Sequence, residues 1–326
     1  MKKTNRILSL LLVFCMLILL SSCGKSADTL KDVNIYVLTG PTGVGAVQLW
    51  SRSDAGETEI RYHFTAAAAP DEAAAKLSSG EADIAAVATN LAAQLYQKTN
   101  GGIRILAVNT LGVLSVLDNS GAAVSSLSDL RGRTIVTTGQ GANPQYILEY
   151  LLEQNGVDVT KDVSVEYRAD GNELTAVWAS QPDAVIVAPS PVSTAILSKY
   201  EDSQKVLDLT EEWEKCSPDS ALMMGCVIAR SDFCDAHPDA VKAFLADYEA
   251  ALQTAQSDPE GTGALCEQYG IVPKAAIAAK ALPDCHLCFI TGEEMQKKLT
   301  GYLQILYDAD PASVGAVPDD GIWYKG

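Results

Sequence analysis

The sequence predicts an α/β fold of two similar α/β domains, joined by two crossover segments, with a ligand cleft between them. Three observations predict it. Strand-like and helix-like runs alternate along the chain, as in mostly parallel sheets. The same order of elements returns about a hundred residues later: Gly40 is matched by Gly139, and Asp83-Ile84-Ala85-Ala86-Val87 by Asp183-Ala184-Val185-Ile186-Val187. Finally, the tail from residue 222 on has no matching sheet of its own, so it returns to cover the first domain. Few identical residues recur, and the plainer alternative is that any α/β chain repeats its grammar.

The elements follow in order. Lys2, Lys3 and Arg6 precede an uncharged apolar run over 7–20, and Leu20-Ser21-Ser22-Cys23 follows, which describes a signal peptide over 1–22. The run is shorter than the roughly 20 apolar residues of a membrane span. A cysteine directly after two small residues resembles a lipobox, which implies cleavage before Cys23 and acylation of its thiol. An ordinary signal peptide, or an uncleaved anchor with Cys23 incidental, is the alternative. The small and polar residues that follow make 23–31 a lipidated tether, holding the body at the outer face of the cytoplasmic membrane.

In the first domain, strands are expected over 33–38, 60–64, 83–88 and 103–108, with helices starting at 46 and covering 71–79 and 91–98. In the second, strands cover 134–138, 163–167 and 183–187, and helices run to about 154, over 173–179 and from Ser190-Pro191. A buried strand over 222–229, helices over 237–256 and 293–306, and two short helices near 261–269 and 274–281 complete the tail. The chain then crosses between domains near 111–118 and 220–230, which places 32–111 plus 222–326 in the first domain and 112–221 in the second. Two crossings make a hinge, and hinged α/β domains close around ligands.

Composition narrows the function. The 326 residues carry 24 Lys and Arg against 41 Asp and Glu, a formal charge of −17, and 48% are hydrophobic. That content builds real cores and excludes disorder. The acidity excludes nucleic acid as a partner, because binding its backbone needs clustered cations. Cleavage before Cys23 removes three positive charges and makes the chain more acidic still.

The motif Gly40-Pro41-Thr42-Gly43-Val44-Gly45 follows a strand, but Ala46 and Val47 stand where a phosphate loop needs Lys and a hydroxyl, and the glycine order is not that of a dinucleotide fingerprint. What survives is the backbone: glycines permit close approach, and N–H groups at a helix start attract a polar group. A tight turn with no ligand is the alternative. Gly139-Gln140-Gly141-Ala142-Asn143-Pro144 repeats the device, with Asn143 expected as N-cap and Pro144 as first helical residue. In parallel sheets ligands bind beyond the carboxyl ends of the strands. Thr89-Asn90, Asn109-Thr110 and Pro189-Ser190 sit at such ends, so loops from both domains converge on one cleft.

No catalytic set is evident. His63, His237 and His286 are scattered, and neither a Gly-x-Ser-x-Gly elbow nor a His-Glu-x-x-His helix occurs. Cys285-His286-Leu287-Cys288 has redox or half-zinc spacing and is the best enzymatic lead, though a zinc site needs a second ligand pair. Cys216, Cys226, Cys234, Cys266, Cys285 and Cys288 are compatible with disulfides or with buried thiols. Trp50, Trp178, Tyr36, Arg104 and Asp170 are weaker candidates for ligand contact. No cofactor or metal is expected.

Taken together, the lipobox, the Gly-Pro-Thr-Gly loop, Asp83-Ile84-Ala85 with Thr89-Asn90, Leu127-Ser128-Asp129-Leu130-Arg131-Gly132-Arg133-Thr134-Ile135, Pro238 with Ala240 to Phe244, and Pro318-Asp319-Asp320-Gly321-Ile322-Trp323-Tyr324 resemble the solute-binding lipoproteins of ABC importers. More narrowly they resemble the nitrate/sulfonate/taurine family, which includes binders of thiamine pyrimidine precursors. The resemblance implies a type II periplasmic-binding fold, capture of a small-molecule solute by a monomer through domain closure, and delivery to a membrane permease with a cytoplasmic ATPase. It implies ligand contacts by Gly40, Thr42 and Gly43, by Thr89 and Asn90, by Gly141 and Asn143, and by Ser190, to which the strand-end reading adds Asn109. No Arg or Lys sits in those loops, a departure from what a strong oxyanion binder offers. Backbone donors hold a small anion without a countercharge, and a neutral or zwitterionic solute fits equally. An enzyme of the same fold, using the cleft or Cys285, His286 and Cys288, and a ligand-sensing lipoprotein are the rival readings.

Overall fold

The computed structural model describes residues 32–326 except 68, 119, 122, 182, 201 and 202, and the expected signal peptide, tether and Cys23 lie outside the described residues. The strands are β1 (Asp32–Leu38), β2 (Arg61–Ala67), β3 (Ile84–Ala88), β4 (Ile103–Thr110), β5 (Leu114–Asp118) and β6 (Thr134–Thr138). They continue as β7 (Ser164–Arg168), β8 (Val185–Pro189), β9 (Gln204–Asp208), β10 (Gly225–Arg230) and β11 (Leu287–Ile290). One sheet has the order β11-β4-β10-β3-β1-β2 and the other β7-β6-β8-β5-β9.

Apart from β11, the two orders are the same when read from the β2 and β7 edges: β2-β1-β3-β10-β4 and β7-β6-β8-β5-β9. The internal repeat is therefore structural. Within each sheet the first three strands pair in parallel and the inserted strand runs antiparallel to both neighbours. Each inserted strand directly follows a crossing, so β5 and β10 are exchanged between the two halves of the chain. The first crossing is correspondingly shorter than expected, since Leu114–Asp118 is already a fully buried strand of the second sheet. Strand β10 likewise begins at Gly225, later than residue 222.

Local sequence explains the elements. In β1 the alternation buries Val33, Ile35 and Val37 on one face and leaves Asp32 and Asn34 exposed. Ile84 to Val87 are all buried, as a strand covered on both faces requires. The helix Pro70–Ser79 starts with proline and ends at Gly80 in the left-handed region. Several elements have weak signals and were not expected: β9, the helix Leu209–Cys216, and the edge strand β11, which pairs only at Leu287 and Ile290.

The tail does more than cover the first sheet. Two of its strands join that sheet, and its helices also reach the second half, where Lys280 donates to Ser198 and Lys205 faces Asp284 at 3.5 Å. The helix Gly292–Ala309 places Tyr302 against Trp213. A continuous apolar core runs from Ile105 and Val108 through Val113 and Leu114 to Leu151, Trp213 and Tyr302, so the halves share buried surface beside the crossings. A second core, with Trp178 and Ile186, lies on the other side of the second sheet.

Candidate functional site

The loop after β1 is packed. Gly40 has φ 104°, which only glycine adopts without strain, and the four-residue helix Pro41–Val44 follows. A Cβ on Gly43 would lie 2.4 Å from the Leu38 carbonyl oxygen and 3.0 Å from the Ile271 side chain, so this glycine serves close packing under the tail. Thr42 is buried beside it.

Behind that loop, Asn109 at the end of β4 donates from Nδ2 to the Tyr248 hydroxyl at 2.9 Å, and Thr110 donates to Asn109 Oδ1 at 3.2 Å. Burial pushes the Tyr248 hydroxyl far above its ordinary pKa, with the Asn109 contact working against the shift, so it stays protonated. Gly225 opens β10 here because a Cβ would lie 2.8 Å from Asn109 Oδ1, 2.9 Å from Thr110 Cβ and 3.0 Å from Thr42 Cγ2. Tyr248 was not singled out from sequence; its only signal is a hydroxyl on the apolar face of the helix Pro238–Ser257.

The two halves meet one residue upstream. Thr89, at the end of β3, donates from Oγ1 to the Met223 carbonyl at 2.5 Å and from its amide to the Met224 carbonyl at 3.1 Å. Asn143, which begins the helix Asn143–Gln154 in the second half, donates from Nδ2 to the same Met224 carbonyl at 2.9 Å and to Thr89 Oγ1 at 3.3 Å. Asn143 is thus not the N-cap: Ala142 holds that place in extended backbone, and the Asn143 side chain crosses to the other half in preference to capping its own helix.

Other expected residues lie elsewhere. Asn90 donates to the Ser313 carbonyl at 3.2 Å. Ser190, at the end of β8, donates its amide to the Val113 carbonyl, and its hydroxyl lies 3.4 Å from the Ala281 carbonyl, a second bridge from one half to the tail. Gly141 is exposed, and its amide donates to Gln145 Oε1 at 2.8 Å, so the expected free backbone donor is satisfied within the loop. Site chemistry therefore rests on side-chain amides and hydroxyls more than on helix-start N–H groups.

The cysteine lead does not assemble. Cys285 ends a short turn, His286 has φ 41° with Nδ1 against the Gly112 carbonyl, and the Cys288 thiol faces the Val108 carbonyl at 3.7 Å. Burial pushes the Cys285 and Cys288 thiols up to about 12, which keeps them protonated and poorly nucleophilic at neutral pH. Cys216, Cys226, Cys234 and Cys266 are free thiols as well. Among the described residues no group of three or more His, Cys, Asp or Glu is placed to hold a metal ion, and no helix is long and apolar enough to cross a membrane. Trp50 stacks between Phe64 and Tyr269, which removes its face from any ligand, and Trp178 is buried in the second core.

Two mixed sheets of the same strand order, crossed twice by the chain and meeting at their strand ends, define the type II periplasmic-binding fold. The chain belongs to the NMT1/THI5-like family, whose model matches residues 59–262. Solved structures agree on the architecture. An ABC transporter protein from Parabacteroides distasonis is 20% identical with a TM-score of 0.75, covering 91% of this chain and 99% of that one. The periplasmic aliphatic sulphonate binding protein SsuA from Escherichia coli is 15% identical with a TM-score of 0.73, covering 90% of this chain and 92% of that one. The periplasmic nitrate-binding protein NrtA from Synechocystis is 15% identical with a TM-score of 0.58, covering 79% of this chain and 69% of that one. No curated protein matches the chain in sequence.

Proposed function

We propose that the protein is an extracytoplasmic solute-binding lipoprotein, held at the outer face of the cytoplasmic membrane by acylated Cys23, that captures a small solute by hinge closure and hands it to an ABC import permease. The observation that carries this reading is the meeting of two buried polar residues, Thr89 at a strand end of the first half and Asn143 at a helix start of the second, over the Met224 carbonyl beside a chain crossing. A solute that touches both halves favours the closed form by its differential affinity for that form. Thr42, Asn109 and Thr110 line one side of the meeting point, around Gly225. Ser190 and the glycine loops complete the cleft, and the protein acts as a monomer without a cofactor. The likeness to sulfonate- and nitrate-binding proteins and the family membership support this role.

The test is retention. The mature chain, dialysed and then equilibrated with a small-molecule extract, is passed through gel filtration and its bound solute identified by mass spectrometry. One enriched, chemically unaltered solute is expected, with retention lowered in Thr89→Val. A solute recovered only in converted form, or none retained, defeats the reading.

A further inference from the structure

The first crossing changes sheets between β4, which ends at Thr110, and β5, which begins at Leu114. Leu111 is still held by the first sheet's side, because its amide donates to the His286 carbonyl at 3.1 Å, and His286 directly precedes β11 on the edge of that sheet. Val113 is held by the second, since its carbonyl accepts from the Ser190 amide at 2.9 Å. Only Gly112 lies between these two anchors. A side chain is excluded there: a Cβ would lie 2.2 Å from Thr210 Oγ1 and 2.9 Å from Leu222 Cδ1. Hinges turn where a few residues absorb the change in φ and ψ, and glycine is the residue least restricted in both.

His286 reaches past that point. Its backbone has φ 41°, in the left-handed region that side chains rarely adopt, and among the described residues Asn100 is the only other non-glycine with a positive φ. Such a conformation persists where the surroundings dictate it. While the His286 carbonyl accepts from Leu111, its ring Nδ1 meets the Gly112 carbonyl. A carbonyl can only accept, so Nδ1 carries the proton and donates. The Gly112 carbonyl belongs to the peptide unit that leads into Val113 and turns with the second half, whereas the ring stays with the first. One residue therefore grips the crossing on both sides of Gly112.

The neighbouring ion pair adds little to this grip. Lys205 stands 3.5 Å from Asp284 but 3.0 Å from Asp208 in its own half, and Lys205 and Asp284 are both partly exposed to solvent. Resting on the hinge-closure reading above, we infer that Gly112 is the pivot of the first crossing and that His286 is a brake on it, its Nδ1–H holding the second half at a set angle to the first.

His286→Gly and His286→Asn separate the donor from the backbone. Both replacements accept the left-handed conformation, but only asparagine keeps an N–H donor at the same place along the side chain. Hydrogen exchange at the Leu111 amide is followed by NMR on the dialysed mature chain, and the radius of gyration by small-angle X-ray scattering. In His286→Gly the Leu111 amide is expected to exchange about tenfold faster, the equivalent of about one hydrogen bond. The radius of gyration is expected to rise by roughly 1 Å, about one-twentieth of that of a compact chain of this length. His286→Asn should restore both values. The Ile35 and Ala86 amides, in β1 and β3, should keep their wild-type rates, which separates release of the pivot from a general loss of stability. A glycine variant with wild-type exchange and dimensions, an asparagine variant no better than glycine, or a uniform rise in exchange along the chain overturns the inference. If neither variant folds, the wild-type Leu111 amide decides: protection supports the grip, and exchange as fast as at exposed loop amides overturns it. None of these readouts needs a solute, so a chain that retains none overturns solute capture and leaves the brake to be judged by exchange and scattering.

Discussion

Asn143 Nδ2 donates to the Met224 carbonyl at 2.9 Å, and through that bond the helix after β6 is tied to the segment that leads into β10. The same carbonyl accepts from the Thr89 amide at 3.1 Å. Residues 223–225 thus serve both halves of the chain: Met223 and Met224 supply acceptors, and Gly225 makes room for Thr42, Asn109 and Thr110. Under the solute-capture proposal, a solute seated there would touch both halves and so favour one angle between them.

Gly225→Ala tests that arrangement with a single methyl group. Its Cβ would press on Asn109 Oδ1, Thr110 Cβ and Thr42 Cγ2 at 3.0 Å or less. Overpacking of this kind costs about 1–3 kcal/mol, measurable by urea unfolding. Solute affinity should fall along with stability. A variant that keeps full stability and affinity would place the cleft elsewhere.

Much of this was legible in the sequence. The repeat could be read from Gly40 and Gly139 because parallel strands must be followed by turns of similar chemistry, and the structure gives the two halves the same strand order. The exchanged strands β5 and β10 were partly hidden because a short strand buried on both faces has no periodicity to separate it from a connector. Thr89 was found as a strand-end residue and Asn143 as an expected N-cap, but the sequence could not show that Asn143 would give up capping its own helix to bond the other half of the chain. The orientation of the Asn90 amide depends on the Ser313 backbone carbonyl more than two hundred residues away, and no local pattern encodes that.

Arg133 illustrates a motif residue with a structural task. Its guanidinium contacts Asp118 Oδ1 at 2.8 Å and donates to the Asp183 carbonyl, beside an Asp118 side chain that is 2% exposed. Burial opposes the Asp118 charge, but the bonds from Arg133 and Ser120 outweigh it and hold the carboxyl below its usual range. Arg133→Leu leaves that carboxylate buried and unpaired and is expected to cost about 3 kcal/mol. Because the folded value is depressed, the contribution is present above the ordinary carboxylate pKa and is lost as pH falls through the folded one. The gap between variant and wild type, followed by urea unfolding against pH, should narrow below about pH 4.

Glu149 has the opposite sign. Burial, helped by Asp310 and Glu153, raises its carboxyl above the usual range, against the bonds from Gln145 and Tyr167. A raised carboxyl favours the protonated form in the folded state, so its contribution is present at low pH and lost as pH rises through the folded value. Glu149→Gln should therefore be more stable than wild type at pH 7 by at most about 1 kcal/mol, since solvent screens the site. The advantage should vanish near pH 4. A variant equally or less stable at pH 7 would show that the Tyr167 and Gln145 bonds outweigh the charge.

Trp213 separates aromatic packing from hydrogen bonding. It is fully buried, with ring centroids 5.0 Å from Tyr150 and 5.4 Å from Tyr302, and so joins helices Asn143–Gln154, Leu209–Cys216 and Gly292–Ala309. Its Nε1 has no hydrogen-bond partner, so its value lies in filling volume and in ring contacts. Trp213→Ala opens a large cavity and should cost about 3–5 kcal/mol. Trp213→Phe keeps a ring, leaves a smaller void and removes the unpaired N–H, which offsets part of the loss. The phenylalanine variant should retain most of the stability in urea unfolding, with an unchanged slope. If phenylalanine costs as much as alanine, the indole N–H makes a bond that matters, and the aromatic cluster is not held by packing alone.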